Sequence, residues 1–272
     1  MNYRHAYHAG NFADCFKHAL LIGLLESLGR KTAPYFVLDT HAGAGHYDLA
    51  AEAALRTVEA DTGIRRLLGT AAPALQRYLR LVKQLGLYPG SPALIRAMLR
   101  ENDRLACCEL HPEDAKTLRR YFQRAPRVEV HERSGWEGLG ALLPPKERRG
   151  LVFIDPPFEA RDEFLVLADG LRRGHGRFSH GVFAAWYPIK QMAAVRTFHA
   201  SMAASGIRDI IAVELHLRDT SSADRLNGCG LLVINPPYQF EDYALLVANA
   251  VLDAIGVHET GAGTVGIRLV NE

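Results

Sequence analysis

The chain has no apolar run approaching the roughly 20 residues needed to cross a bilayer, and its start, MNYRHAYHAGNFADCFKH, lacks the apolar centre of a signal peptide. A cytoplasmic protein with no membrane partner is therefore expected. Cysteine is scarce. Cys15, Cys107, Cys108 and Cys229 stand far apart except for one adjacent pair, which fits neither a CxxC metal knuckle nor a disulfide framework. Reduced, buried thiols are the expectation. Charge of one sign is also missing, since 32 Lys and Arg against 30 Asp and Glu leave a net +2. The molecule as a whole is thus no obvious polyanion binder. Low-complexity linkers and internal repeats are absent, apart from two similar stretches, LVFIDPPF (151–158) and LLVINPPY (231–238).

What is present is apolar residue in quantity: 272 residues at 48% hydrophobic can bury a full core, read as one domain over 1–272. Short apolar runs alternate with helical patterns, the signature of a mainly parallel sheet flanked by helices. The runs 35–39, 104–109, 127–131, 150–155, 181–188, 209–217, 229–235 and 264–270 read as strands, and 12–29 as a helix with apolar residues at three- and four-residue steps. The order is Rossmann-like. Some 60 residues separate the first two strands, more than a crossover needs. Within them 55–85 reads as two or three short helices broken near Gly69 and Pro73, a helical insertion placed at 50–90 that rises beside the carboxyl edge of the sheet. Three stretches concentrate positive charge: RRYFQRAPR (119–127), KERR (146–149) and RRGHGRFSH (172–180). Singly each reads as a solvated face, the last as a Gly-punctuated loop; together they leave a nucleic-acid contact open.

In open α/β sheets ligands bind beyond the carboxyl ends of the strands, so those ends carry the functional reading. The first runs into DTHAGAG (39–45), where Gly43 and Gly45 admit close approach of a ligand to the backbone. This turn lacks both the G-x-G-x-x-G spacing of a dinucleotide fingerprint and the Lys-Ser/Thr ending of a phosphate loop. The second ends at Glu109, an acceptor-only carboxylate able to take both hydroxyls of a ribose. After the third, Ser134 and Gly135 offer a cradle of little bulk for an adenine edge. The fourth ends in Asp155-Pro156-Pro157-Phe158. Two prolines stiffen the turn, the Asp155 carboxylate and Pro156 carbonyl become fixed acceptors, and Phe158 offers a stacking face. Those two acceptors match the two N–H donors of an exocyclic amino group, which holding makes more nucleophilic. Methyl transfer from S-adenosylmethionine is the chemistry this arrangement suits.

In these residues the chain resembles a class I S-adenosylmethionine-dependent methyltransferase acting on the exocyclic nitrogen of adenine. More narrowly, YRHAYHAGNFADCFKH (3–18), LDTHAGAG (38–45), YPGSP (88–92), ELHP (109–112), RRGLVFIDPPF (148–158), WYP (186–188) and VINPP (233–237) resemble, in order, the RlmJ family. That family methylates N6 of adenine 2030 in 23S ribosomal RNA. The resemblance implies a Rossmann-like class I fold, S-adenosyl-L-methionine as cofactor, and 23S rRNA, naked or in an early assembly intermediate, as partner. It implies Asp155 as the catalytic acceptor and a cofactor site of His18, His41, Ser91, Glu109, Ser134, Gly135 and Asp155, with Gly43 in the glycine turn and Lys17 beside them. Tyr3 is implied to touch the RNA, as is Phe158, which stands where the family usually shows tyrosine. Ser134 replaces an acidic residue common there.

Without the family, His5, His8 and His18 read as a possible zinc cluster. No Cys partners them at ligand spacing, and transfer from a sulfonium needs no Lewis acid, so no metal is expected. A DNA adenine or protein glutamine methyltransferase is the rival enzyme, although a glutamine enzyme is expected to carry Asn-Pro-Pro-Tyr after its fourth strand. A non-catalytic RNA-binding module is the rival of another class. Of the two Pro-Pro stretches, the first is read as the active-site motif and the second, at Asn235, as a strand-ending turn.

Overall fold

The helix read over 12–29 forms as α1 (Phe12–Gly29), capped by Asn11, whose side chain accepts from the Asp14 amide at 2.9 Å. Only Glu26, Ser27 and Gly29 escape burial. Such a helix is a core element, and the Asp14, Lys17 and His18 side chains it carries inward need internal partners. The computed structural model describes residues 9–50, 59–160, 162–220, 224–256 and 263–271.

The strands are β1 (Phe36–Asp39), β2 (His46–Tyr47), β3 (Tyr88–Pro89), β4 (Arg104–Glu109), β5 (Val128–Glu132), β6 (Gly150–Ile154), β7 (Val182–Ile189), β8 (Ile210–His216), β9 (Gly228–Ile234) and β10 (Thr264–Asn271). All eight expected strands form and pair in the order β10-β8-β9-β7-β6-β1-β4-β5, while β2 and β3 make a separate ribbon. From β5 to β7 every pairing is parallel; β9 runs against both β7 and β8, and β10 against β8. Strand order reverses about β1, which has β4 on one side and β6 on the other. The site of a doubly wound sheet opens at such a reversal.

The remaining helices are α2 (Glu59–Thr62), α3 (Ile64–Leu67), α4 (Gln76–Leu85), α5 (Ser91–Met98), α6 (Pro112–Tyr121), α7 (Gly135–Ala141), α8 (Glu163–Arg177), α9 (Met192–Ala203) and α10 (Phe240–Ile255). Two apolar clusters separate them into layers. One joins α1, α4, α5, α6 and α10 to one sheet face; the other joins α7, α8 and α9 to the opposite face. The fold is Rossmann-like, a mostly parallel sheet covered on both faces. Between β2 and β3 the chain forms α2, α3, a 3-10 turn (Pro73–Leu75) and α4, which pack on α1 and α10.

One local expectation fails. The stretch 172–180 is not a loop, since α8 runs through Arg177. A Cβ on Gly170 would lie 2.6 Å from the Trp136 ring, and one on Gly174 2.9 Å from the Phe183 ring. These glycines let the helix approach the neighbouring aromatics, which offsets their low helix propensity.

Candidate active site

Strand register brings the acidic residues together. Asp39 pairs in register with Cys107 on one side and Phe153 on the other. Side chains alternate faces along a strand, so Asp39, Glu109 and Asp155 share the α1 face, with Asp39 two residues below the other two. Above them lies a cleft of about 830 Å³. Lys17, His18, His41, Gly43, Ser91, Glu109, Ser134, Gly135, Asp155 and Phe158 all line it. Tyr3, His5 and His8 lie outside the described residues. Among the described residues, no group of three or more His, Cys, Asp or Glu is placed to hold a metal ion.

On the floor, Lys17 Nζ donates to Asp155 Oδ2 at 2.5 Å and lies 2.7 Å from Asp14 Oδ1. Asp14 Oδ2 in turn accepts from the Gly10 amide at 3.0 Å. A lysine 4% exposed is tolerable only because it sits between two carboxylates. Its position assigns it to the Asp155 side of the cleft. His18 is also buried and meets the Tyr88 hydroxyl through Nδ1 at 3.3 Å.

Glu109 ties two turns together, with Oε2 accepting from the Gly43 amide and Oε1 from the His111 amide, both at 2.7 Å. Burial raises its pKa, and these two amides offset that rise only in part. Each carboxylate oxygen retains acceptor capacity after its single bond. Gly43 has φ +62°, a left-handed conformation that glycine adopts without strain. Below, Ser91 Oγ donates to Asp39 Oδ2 at 2.7 Å, while Oδ1 has no well-formed partner among the described residues. Burial, with repulsion from Asp155 and Glu109, raises Asp39 to a pKa of about 7 against the Ser91 bond.

Thr40 Oγ1 donates its one hydrogen to the Phe153 carbonyl at 3.1 Å and meets His41 Nδ1 at 2.8 Å. That network assigns the His41 proton to Nδ1 and leaves Nε2 an acceptor. Burial lowers the His41 pKa to about 4, so the ring stays neutral at physiological pH. Ser134 Oγ accepts from the Trp136 amide at 3.3 Å as the cap of α7, which occupies its hydroxyl oxygen locally. Gly135 has the tighter constraint. A Cβ there would come within 2.1 Å of the Thr40 carbonyl oxygen, so only glycine lets α7 start against the β1 turn.

Phe158 has φ +51°, which costs a bulky residue about 1–2 kcal/mol. The Pro-Pro turn thereby fixes the direction of its ring, which meets Phe164 at 4.9 Å and Trp186 at 5.8 Å, both edge to face. Ile154 is in register with Ala185, so Asp155 and Trp186 follow at the same level of adjacent strands. Lys17 Nζ stands 5.4 Å from the Trp186 ring centroid. Asp14, Asp39 and Trp186 are site residues to which the sequence reading gave no role. Asp39 had a visible signal, as the acid ending β1 before the glycine turn. The others depended on helix and strand neighbours distant in sequence.

The second Pro-Pro stretch lies elsewhere. Because β9 runs against β7, Asn235 falls beside the start of β7, where Nδ2 donates to the Ser179 and Gly181 carbonyls at 2.9 and 2.8 Å.

Comparison with known proteins agrees with the topology. The family described as "Ribosomal RNA large subunit methyltransferase D, RlmJ" matches residues 32–268. The chain is 41% identical over 249 residues to ribosomal RNA large subunit methyltransferase J of Escherichia coli, covering 89% of each chain. It is 36% identical to the protein of that name from Haemophilus influenzae, covering 97% of this chain and 98% of the other. A crystal structure of protein LPL1258 from Legionella pneumophila superposes with a TM-score of 0.88 at 34% identity, covering 96% of this chain and 98% of that one. The described fold, the convergence of strand ends on one cleft and a match over most of the length together place this chain in the RlmJ family of ribosomal RNA large subunit methyltransferases.

Proposed function

We propose that the protein transfers a methyl group from S-adenosyl-L-methionine to the exocyclic N6 of one adenine, adenine 2030 by family, in 23S rRNA. The substrate is naked RNA or an early assembly intermediate in the cytoplasm. The observation that carries this reading is that Glu109 and Asp155 open on one sheet face into one cleft, with Gly43 and Gly135 bringing backbone close beside them.

The residues fit the cofactor. Glu109 offers ribose hydroxyls two oxygens with spare acceptor capacity. Gly43, Ser134 and Gly135 line the cleft with little bulk, Gly135 packing directly on the Thr40 carbonyl, and the carboxylates of the floor suit a cationic donor. His41, neutral and with Nε2 free of a proton, adds an acceptor. When bound, S-adenosylmethionine supplies an electrophilic methyl on sulfonium.

The rest is the work of this chain. Asp155 and the Pro156 carbonyl accept the two N–H bonds of the adenine amino group and aim its nitrogen lone pair. Lys17 holds Asp155 by its Oδ2 against the stiff Pro-Pro turn, so the carboxylate is oriented before the base arrives. On methylation N6 would give up one proton as the sulfonium gives up its methyl, and Asp155 would accept that proton. Phe158 stacks on the extruded ring, a contact of about 1–3 kcal/mol that offsets much of the unstacking cost. Tyr3 contributes to the RNA contact.

The test is tritiated methyl transfer to naked 23S rRNA, duplex DNA and whole subunits, with the labelled nucleotide mapped by mass spectrometry. Label at N6 of one adenine in rRNA is expected, abolished in Asp155→Ala with the melting curve retained. Label confined to DNA or protein, or an active Asp155→Ala, overturns the reading.

A further inference from the structure

The charged residues lining the cleft are unevenly distributed, acids with Lys17 among them on one side and mostly cations on the other. Asp14, Glu109 and Asp155 form the floor under α1, β4 and β6, whereas the cations Lys190, Arg218 and Arg225 stand on the wall beyond β7. Lys190 directly follows β7, Arg218 follows β8, and Arg225 precedes β9. These points meet because β9 runs in reverse and so starts at the edge where β7 and β8 end.

The wall is built to a fixed shape. Asn227, 1% exposed, donates its amide to the Ile189 carbonyl at 3.0 Å and its Nδ2 to the Lys190 carbonyl at 2.9 Å. The Asn227 carbonyl accepts from the Leu217 and Arg218 amides at 2.9 and 3.1 Å. One buried residue thus joins the segment carrying Lys190 to the segment carrying Arg218. Arg218 Nη1 also donates to the Leu226 carbonyl at 2.8 Å, which ties its guanidinium to the same loop. Lys190 and Arg225 are exposed. Asp224 is the acid on this wall, and Glu159 and Glu163 stand nearer the Pro-Pro turn, where Glu163 is engaged by the Ala160 amide.

The arginine-rich stretches singled out in the sequence do not lie here. Among the described residues, no member of 119–127, 146–149 or 172–180 lines the cleft. Several are committed to internal bonds: Arg149 to the Ala33 and Leu28 carbonyls, Arg172 to Ser201, and Arg177 to the Leu143 carbonyl.

Trp186 is level with Asp155, and Lys190 lies four residues further along, about 13 Å at roughly 3.3 Å per residue. That reach spans a few nucleotide steps. An extruded adenine at Asp155 therefore leaves the adjoining sugar-phosphate strand against this wall. We propose that Lys190, Arg218 and Arg225 grip the phosphates of the RNA strand next to the target adenine, with Asn227 holding the Lys190 and Arg218 segments together. The proposal rests on the rRNA methyltransferase reading and adds the path of the strand.

The test is binding of an rRNA fragment containing the methylated adenine, measured by filter retention across a salt series. Each lost phosphate contact lowers the slope of log K against log salt by about 0.7 for a single strand. The Lys190→Ala/Arg225→Ala variant is expected to lose about 1.4 in slope and to bind roughly ten- to twenty-fold more weakly at ~0.15 M salt. Its S-adenosylmethionine affinity by calorimetry is expected to match that of the parent. Arg120→Ala/Arg124→Ala, an exposed pair away from the cleft, is the control with unchanged slope. An unchanged slope in Lys190→Ala/Arg225→Ala, or a loss confined to the control, overturns the wall while leaving the methyltransferase reading intact. A parent enzyme that does not methylate rRNA overturns that reading instead.

Discussion

Asn235→Ala tests whether the second Pro-Pro stretch is scaffold or machinery. The substitution removes two side-chain bonds, one to the Gly181 carbonyl in a partly buried setting and one to the Ser179 carbonyl at the surface. Together these are worth about 1.5 kcal/mol, with the exposed bond at the lower end. Asn235 also has φ +54°, a left-handed conformation that asparagine tolerates and alanine adopts at a cost of about 1 kcal/mol. A total near 2.5 kcal/mol lowers the Tm of a chain this size by roughly 4–5 °C. Asn235→Gly keeps the backbone conformation and loses only the bonds, so a smaller drop is expected from it. Calorimetric melting of both variants, paired with methyl transfer at 20 °C, is the assay. Both variants are expected to retain transfer at that temperature. An Asn235→Ala protein that melts like the parent and transfers no methyl group would refute the assignment of this stretch to the scaffold.

Other substitutions probe the cleft. Glu109→Ala is expected to weaken S-adenosylmethionine binding at least ten-fold by calorimetry and to lower Tm by a few degrees, since it also frees the Gly43 and His111 amides; unchanged affinity returns Glu109 to a purely local role. Gly135→Ala forces α7 away from the Thr40 carbonyl, so cofactor affinity is expected to fall by more than ten-fold, and parental affinity would show that the close approach is dispensable. Asp39 has a folded pKa of about 7, above the ordinary aspartate value of 3.8, so the folded state holds the extra proton between those values. Wild-type stability therefore falls as pH rises through that window and levels off above it. The Tm advantage of Asp39→Asn is expected to grow from about pH 4 to 7, and a difference constant over that range would contradict the shift.

Much of this was readable in the sequence because it depends on short-range pattern. The strand runs are apolar over four to eight residues and end in turn residues, so all eight appear where alternation and β-branched content place them. The ends of β1, β4 and β6 carry Gly43, Glu109 and Asp155, and the rule that ligands gather at carboxyl ends makes them candidates before any coordinates. Less legible was whatever depends on a partner distant along the chain. Lys17 reads as a helix residue with no visible reason to be buried until Asp14 and Asp155 are found on either side of it. Gly174, within 172–180, resembled loop punctuation because the bulky neighbour that requires it, Phe183, lies on another element.

The sequence by itself determined the alternation of strands and helices, the glycine turn, the acids at the strand ends and the stiff Asp-Pro-Pro turn, since each is a property of adjacent residues. Only the tertiary structure showed how two nearly identical Pro-Pro turns, told apart in the sequence by motif order, come to lie at different places on the sheet. β6 runs parallel to β1 and delivers Asp155 to the site, whereas β9 runs against β7 and carries Asn235 to the opposite edge. Strand direction is set by how the chain returns through the sheet, a long-range choice that no short stretch encodes. That same reversal assembles Lys190, Arg218 and Arg225, three cations unremarkable in sequence, on one wall.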